Sequence, residues 1–364
     1  MKILLLGEYS NVHATLAEGL RTLGHQVTVA SNGDFWKNYP RDIDLSRQEG
    51  KLGGLKLLAK VYSLLPRWRG YDVVQLINPM FLELKAERIA PIYRYLRQHN
   101  RKVVLCAMGM DWYWVHECTY NKPLRYSDFN IGQELRKDEP AIREQRDWLG
   151  TEKERLNRMI AADCDSIVAG LYEDFVCYEP NFKEKTHFIP LPIKMPSTPS
   201  SLAPHPLPIK IFIGISKGRG AYKGTDIMLR AAQDVQAKYP DRMQIQVATG
   251  VPFAQYQQML NSSDAILDQL YSYTPAMNSL LAMSKGIINI GGGEPENYDI
   301  LGETELRPIV NVLPTYESCY EEIERLVLHP ERIPLLKQQS VEYVKKHHDY
   351  LKVAQQYLDF YHTL

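Results

Sequence analysis

Three cations stand close together in "IFIGISKGRGAYKGTD", the stretch from Ile211 to Asp226: Lys217, Arg219 and Lys223, separated by Gly218, Gly220 and Gly224. An apolar run ends at Gly214, and a helical pattern begins near Gly224. Glycines at a strand end expose backbone N–H groups, and a helix N-terminus favours anions. Arginine can clamp two oxygens of a phosphate, while lysine acts as a point charge. No acid interrupts the three cations. The pattern therefore suits an anionic diphosphate better than a solvated basic loop.

Three other stretches carry usable side chains. "GGGEPE" (291–296) follows the apolar run "GIINI". Gly292 and Gly293 would let the backbone touch a ligand, and Glu294 or Glu296 could bond sugar hydroxyls. A flexible loop with a proline stop explains the same residues equally well. "GEYSNVH" (7–13) follows "KILLL". Gly7, Ser10, Asn11 and His13 would admit a ligand to a helix N-terminus, although His13 reads equally as an ordinary first-turn residue. A single glycine stands where a dinucleotide fold needs GxGxxG, which argues against NAD or FAD. "AMGMD" (107–111) places Gly109 and the carboxylate of Asp111 past a strand end. Asp111 could orient or deprotonate a hydroxyl, or cap the next helix; on its own residues the cap is the better reading.

The elements that hold these stretches alternate along the chain. Strand patterns read at 2–6, 26–30, 72–76, 102–106, 165–169 and 186–189. Helical spacing of Val12, Leu16, Leu20 and Leu23 joins the first two into a βαβ unit, which builds parallel sheets. "PLPIKMPSTPSSLAPHPLP" (190–208) is dense in proline and serine and reads as a linker. The alternation restarts at 209–214, 243–248, 265–267, 286–290 and 308–312, with helices near 224–238, 253–262 and 276–284. Residues 112–162 interrupt the first half and read as an insertion with helices, Thr151 and Glu154 having capping-box spacing. Open parallel sheets bind ligands at the carboxyl ends of their strands, and every stretch above lies at such an end.

The chain has 364 residues and 43 residues of each charge sign, so no basic excess points to nucleic acid as a partner. Five dispersed cysteines without CxxC spacing argue against a zinc or redox site. The start "MKILLLGEYS" reads as a first strand rather than a signal peptide. No apolar run approaches the roughly 20 residues of a membrane span. These features lead us to expect a cytoplasmic protein. Residues 51–70 carry Lys51, Lys56, Lys60, Arg67 and Arg69 and no acid. Leu55, Leu58, Val61 and Leu65 are expected to form an apolar stripe there. Such a helix either packs on its own sheet or makes a peripheral contact with the inner face of a membrane.

Taken in order, these stretches resemble a family. "ILLLGEYSNVHATLAEGLRTLGHQVTVA", "DSIVAGLYEDF", "HFIPLPI", "YKGTDIMLRAA", "VPFAQYQQMLNSSDAILDQL" and "NSLLAMSKGIINIGGGEPE" are similar to GT-B glycosyltransferases, most of all to the retaining family 4. The resemblance implies an α/β chain of two Rossmann-like domains whose parallel sheets face a central cleft. Residues 1–190 would bind the acceptor, 191–208 would link, and 209–345 would bind a nucleoside-diphosphate sugar. Residues 346–364 would form a helix crossing back to the first domain. Arg219 and Lys223 match the family's diphosphate-binding pair, with Lys217 as an additional candidate, and no metal is implied. The family's two glutamates eight positions apart are replaced by Tyr273 and Leu281. Asp268, Gln269, Asn278 and Glu294 are the polar residues near enough in sequence to stand in for them.

The activity so implied is transfer of a sugar to an acceptor hydroxyl, with retention, in polysaccharide or glycolipid synthesis. The acceptor would be a saccharide or a lipid-linked saccharide. Arg219 and Lys223 would stabilise the departing phosphate, and Asp111 or His13 would position the acceptor. Backbone groups at Gly7, Gly214, Gly224, Gly292 and Gly293, with Asn278 and Glu294, would complete the contacts. Two alternatives stay open: a non-catalytic GT-B protein that binds a nucleotide or a partner enzyme, which the missing glutamates favour, and a nucleotide-sugar epimerase on the same scaffold.

Overall fold

The computed structural model describes residues 1–197, 207–215 and 220–364, apart from the side chains of Phe253 and Ala254. Lys217, Arg219 and most of the expected linker lie outside the described residues. The strands are β1 (Lys2–Leu6), β2 (Gln26–Ser31), β3 (Ile43–Asp44), β4 (Val73–Leu76), β5 (Lys102–Ala107), β6 (Asn130–Ile131), β7 (Glu134–Leu135), β8 (Ser166–Ala169), β9 (Thr186–Phe188), β10 (Ile209–Ile215), β11 (Met243–Thr249), β12 (Ala265–Leu267), β13 (Ile288–Gly291) and β14 (Val310–Asn311).

Two parallel sheets organise two compact units. The first unit comprises residues 1–123, 143–192 and 350–364. Its seven-stranded sheet has the order β3-β2-β1-β4-β5-β8-β9. Ile3, Leu4, Leu5 and Leu6 of β1 are all fully buried, as befits a central parallel strand covered on both faces. The helix Tyr350–Thr363 packs on the helix Val12–Thr22 within this unit.

The second unit comprises residues 124–142 and 193–349, built on a five-stranded sheet of order β11-β10-β12-β13-β14. Side chains alternate across a strand, and here the alternation sorts two cores. Ile209, Ile211 and Ile213 of β10 enter one cluster with Met228, Val235, Ile288 and Ile290. Phe212 enters the other, with Ile266, Leu260 and Ile287. Each such buried side chain contributes roughly 1.5–3 kcal/mol relative to exposure.

Two sequence readings change. The insertion at 112–162 is not only helical. It holds the helices Trp112–His116, Glu139–Trp148 and Glu152–Asp163, and also the antiparallel β6–β7 hairpin. Gly132 turns that hairpin at φ 58°. Leu124–Ile142 folds with the second unit, so the segment is divided between the two. In the expected apolar stripe at 51–70, Val61 and Leu65 are buried and Leu58 is half-buried, but Leu55 departs. Gly53, Leu57 and Val61 of the helix Gly53–Leu64 are buried, whereas Leu55 is 59% exposed. A Cβ at Gly53 would lie 1.8 Å from the Gln48 carbonyl oxygen, so only glycine fits there. That close approach turns the row of every fourth residue inward.

Candidate functional site

In the second sheet the strand order reverses between β10 and β12, the usual place for a ligand in an open parallel sheet. The chain leaves β10 through the undescribed residues 216–219 and returns as the short helix Gly220–Lys223. Gly224 follows at φ 71°, and its Cβ would lie 2.6 Å from that of Leu270. Only glycine combines that backbone with that packing. It caps the helix Thr225–Lys238 without a side-chain hydrogen bond. The Lys223 carbonyl accepts from Leu270 N at 3.0 Å, which ties the turn to the end of β12.

A polar cluster stands at this corner. Lys223 Nζ lies 4.0 Å from Asp268 Oδ1, with the lysine side chain 30% exposed and the aspartate 8%. Ser279 Oγ donates to Asp268 Oδ2 at 2.6 Å, and Asn278 Nδ2 donates to Oδ1 at 3.4 Å. Both residues sit in the first turn of the helix Met277–Ser284. Tyr256 OH donates to Asn278 Oδ1 at 3.3 Å. The tyrosine ring covers Gly214, whose Cβ would come within 2.9 Å of it. Burial pushes the Tyr256 phenol up to about 12, so it stays a neutral donor at physiological pH. The arrangement is an anchored carboxylate holding a half-exposed cation beside two helix starts. It can receive an anion on the lysine and hydroxyls on Asp268 or Asn278.

The glycine-rich end of β13 is built differently. A Cβ at Gly292 would fall 2.0 Å from the Ser272 carbonyl oxygen, and one at Gly293 would fall 2.6 Å from Ile309 Cγ2. These two glycines are therefore accounted for by the chain's own close packing. Gly293 N donates to Asn311 Oδ1 at 2.9 Å. Glu294 is buried and accepts from Tyr126 OH at 2.6 Å, Arg125 Nη2 at 2.7 Å and Asn311 Nδ2 at 3.2 Å. Arg125 also pairs with both oxygens of Glu296. Its backbone N donates to Tyr273 OH at 2.7 Å, and its guanidinium lies 4.9 Å from the centre of the Tyr273 ring. The segment that carries Arg125 is pinned again at Arg136. That guanidinium donates to the carbonyls of Ala221 and Tyr222 and stacks 3.6 Å over Tyr271. Both glutamates expected to meet a sugar thus carry partners from residues 124–126.

Leu281, at the place of the family's second glutamate, is 37% exposed, and Tyr273 is buried. Gln269 is partly buried on the β12 end. Arg125, Tyr126 and Arg136 escaped the sequence reading. They lie more than eighty residues from Ala221, Tyr222, Glu294 and Glu296, and no periodicity marks them.

In the first unit the strand-end residues are satisfied internally. Gly7 sits at φ 83°, and a Cβ there would lie 2.4 Å from Ile77 Cγ2. Glu8 folds onto the helix start and accepts from His13 N at 3.3 Å and Ala14 N at 2.8 Å. Its burial pushes the carboxyl up to about 8 despite those bonds. Ser10 and Asn11 adopt left-handed backbones. His13 is fully buried, with Nδ1 2.8 Å from the Gly7 carbonyl and Nε2 3.2 Å from Gln75 Nε2. Tyr361 OH donates to the other end of Gln75 at 2.6 Å. Burial lowers the His13 pKa to about 4, so the ring is neutral, with its Nδ1 proton on the carbonyl. Asp111 accepts from Trp114 N at 2.9 Å and from Tyr178 OH at 2.5 Å. It is the N-cap of the helix Trp112–His116 and is 1% exposed. Burial raises its carboxyl to about 6. In this conformation, then, His13 orders three elements of the core and Asp111 starts a helix.

No family model matches the sequence, and no curated protein matches it. Solved structures do match the fold. Sucrose-phosphate synthase from Thermosynechococcus elongatus aligns with a TM-score of 0.67 at 14% identity, covering 100% of this chain and 99% of its own. HepE of Anabaena, in complex with UDP and glucose, aligns with a TM-score of 0.62 at 14% identity and covers 100% of both chains. The fold is GT-B. A GT-B neighbour from Listeria monocytogenes, named as a UDP-N-acetylglucosamine 2-epimerase, has a TM-score of 0.55 at 9% identity over 98% of this chain and 95% of its own. Among the described residues, no group of three or more His, Cys, Asp or Glu side chains could hold a metal ion. No helix among them is long and apolar enough to cross a membrane.

Proposed function

We propose that this chain is a glycosyltransferase that moves a sugar from a nucleoside diphosphate to an acceptor hydroxyl. One observation carries the reading: Lys223, anchored beside Asp268, Asn278 and Ser279 at the strand-order reversal of the second sheet. Lys217 and Arg219 lie in the segment that leaves the same strand end. Negative charge grows on the leaving phosphate as the glycosidic bond breaks. Fixed cations and helix starts stabilise that charge. The sequence resemblance adds retention, the family 4 relationship, independence of metal, and a role in polysaccharide or glycolipid synthesis.

The UDP and glucose bound to HepE make UDP-glucose the first donor to try. Purified protein is titrated by calorimetry with UDP, GDP, ADP and CMP, then incubated with the matching sugar nucleotide and saccharide acceptors. The reading requires one diphosphate to bind and a glycoside with the donor's anomeric configuration to form, seen by NMR. Absence of binding by all four nucleotides would refute it. A second reading, epimerisation of a free sugar nucleotide, draws on the structural neighbour named as a UDP-N-acetylglucosamine 2-epimerase. It predicts a new sugar nucleotide from the donor alone, with no acceptor added.

A further inference from the structure

The helix Gly53–Leu64 shows solvent an apolar face. Leu52 is 61% exposed, Leu55 59% and Tyr62 48%, and Ala59 between them is also exposed. Spacings of three and four residues place these four side chains in one row on the helix. The inner row is already used, since Leu57 and Val61 are buried. Lys56 and Lys60 run alongside the outer row, both exposed, and Lys51 precedes it. Between residues 45 and 70 the charged side chains are Arg47, Lys51, Lys56, Lys60, Arg67 and Arg69 against Glu49 alone, all of them exposed.

Two neighbouring features extend the patch. Parallel strands β2 and β3 are in register at Ala30 with Ile43 and Ser31 with Asp44, so the segments after them leave one edge of the sheet together. Ser46 Oγ donates to the Asn32 carbonyl, which holds the two segments side by side. The turn after β2 carries Phe35 at 61% and Trp36 at 71% exposure. Its backbone is left-handed at Asp34, Phe35 and Asn38. An aromatic residue at positive φ is costly, and here the cost is met while the rings face water. The second feature is a groove of about 410 Å³ beside the helix, lined by Arg47, Gln48, Lys56 and Lys60 together with Ser46 and Asp44. Its size and cations suit a phosphodiester headgroup.

We propose that this face docks on an anionic phospholipid surface. Leucines and an aromatic ring would enter the interfacial layer, and the lysines would meet lipid phosphates. Lysine flanking an apolar row suits a membrane interface, where its stem lies along the tails and its ammonium reaches the headgroups. Lysine is depleted at the centres of protein–protein interfaces. The proposal does not depend on the donor chemistry above, so either can fail alone.

The test is co-sedimentation with vesicles of equimolar phosphatidylglycerol and phosphatidylcholine, and with pure phosphatidylcholine. The expected result is pelleting with the anionic vesicles that weakens in high salt, and little pelleting with the neutral ones. Lys56→Glu/Lys60→Glu and, separately, Leu55→Ser/Tyr62→Ser should each cut binding at least about tenfold. All four positions are exposed, so thermal melting should stay close to that of the parent. Tryptophan emission should shift to the blue on binding, and Trp36→Phe should remove most of that shift. Failure of the parent protein to pellet with anionic vesicles overturns the proposal, as does pelleting of both double variants like the parent. Concentration-dependent dimerisation that Leu55→Ser/Tyr62→Ser abolishes, without vesicle binding, would assign the face to a second copy of this chain and overturn it as well.

Discussion

At the end of β1, Glu8 turns back and places its carboxylate on the amides of His13 and Ala14. At the end of β10, the next long helix begins at Gly224, which makes no side-chain cap bond, and Lys223 stands one residue before it. The two sheets are alike in hydrogen-bond pattern, but they treat the same local opportunity in opposite ways. A helix start is an anion site. The first unit fills its own with an internal carboxylate, and the second sets Lys223 beside its site. The carboxyl groups follow suit. In the first unit Glu8 and Asp111 are buried among neutral donors, and burial raises both. In the second unit Glu296 is held below its usual range by the Arg125 hydrogen bond. Burial alone would raise Glu303, yet bonds from His347, Lys346 and the amides of Leu306 and Glu305 hold it well below. At the end of its first strand, therefore, the second unit keeps the helix start that the first unit closes with Glu8.

The largest expected effect tests whether the turn at Lys223 is a built feature. Gly224→Ala places a Cβ against Leu270 at a positive φ and should cost about 3 kcal/mol. Gly220→Ala is the matched control. Among the described residues its Cβ would meet nothing closer than Thr225 Oγ1 at 3.8 Å, so urea unfolding should move by less than about 0.5 kcal/mol. Equal losses at the two positions would show that the turn is not specially constrained.

Lys223→Ala comes next. The side chain is partly exposed and its carboxylate partner is 4.0 Å away, so stability should hardly change. Transfer should fall by well over tenfold, about 2 kcal/mol of transition-state binding. His13→Ala is expected to behave in the reverse sense, with the loss appearing first in the melting curve, because Gly7 and Gln75 both lose their partner. A destabilised but catalytically normal Lys223→Ala would remove the distinction between the units.

Most of the scaffold was legible in the residues. Apolar runs such as "IKIFIG" and "AIL", short and bounded by polar punctuation, read as buried strands of a parallel sheet, and they appear as β10 and β12. Strand β3 was not legible, because two residues carry no period. The apolar row at 51–70 was legible at Val61 and Leu65 but not at its start, because Leu55 and Leu57 are chemically equal and the contact at Gly53 turns Leu57 inward. The site was legible in part. Glycine marks close approach, but the sequence does not say whether a ligand or the chain itself approaches. At Gly292 and Gly293 it is the chain. Arg125 was invisible, since its partners Glu294 and Glu296 are brought to it by the tertiary fold alone.

Glu8 and Asp111 in the first unit and Glu303 in the second have opposite pH signatures. Glu8 and Asp111 keep their protons to higher pH when folded than when unfolded. Their contribution to stability is complete below about pH 4 and is lost as pH rises through about 6 for Asp111 and about 8 for Glu8. Glu303 is depressed on folding, so its contribution is present above the usual glutamate range and is lost as pH falls below it. Glu8→Gln should flatten the dependence of unfolding free energy on pH between about 5 and 8, by up to about 1 kcal/mol per pH unit. Glu303→Gln should flatten only the acid side. A Glu8→Gln profile parallel to the parent across pH 5 to 8 would remove the first unit's half of the contrast.

The smallest effect concerns the clasp at residues 124–126. Arg125 spans one exposed pair, with Glu296, and one partner that is almost wholly buried, Glu294. Exposed pairs are worth up to about 1 kcal/mol. A buried carboxylate that loses a donor costs more, since its desolvation is no longer offset. Glu294 keeps Tyr126 and Asn311 when Arg125 is removed, which limits the loss. In double-mutant cycles the Arg125–Glu294 coupling should therefore be about 1 kcal/mol and the Arg125–Glu296 coupling about half that, although the second pair has more hydrogen bonds. Couplings in the opposite order would mean that Glu294 is held chiefly by Tyr126, and would move the clasp from the guanidinium to the phenol.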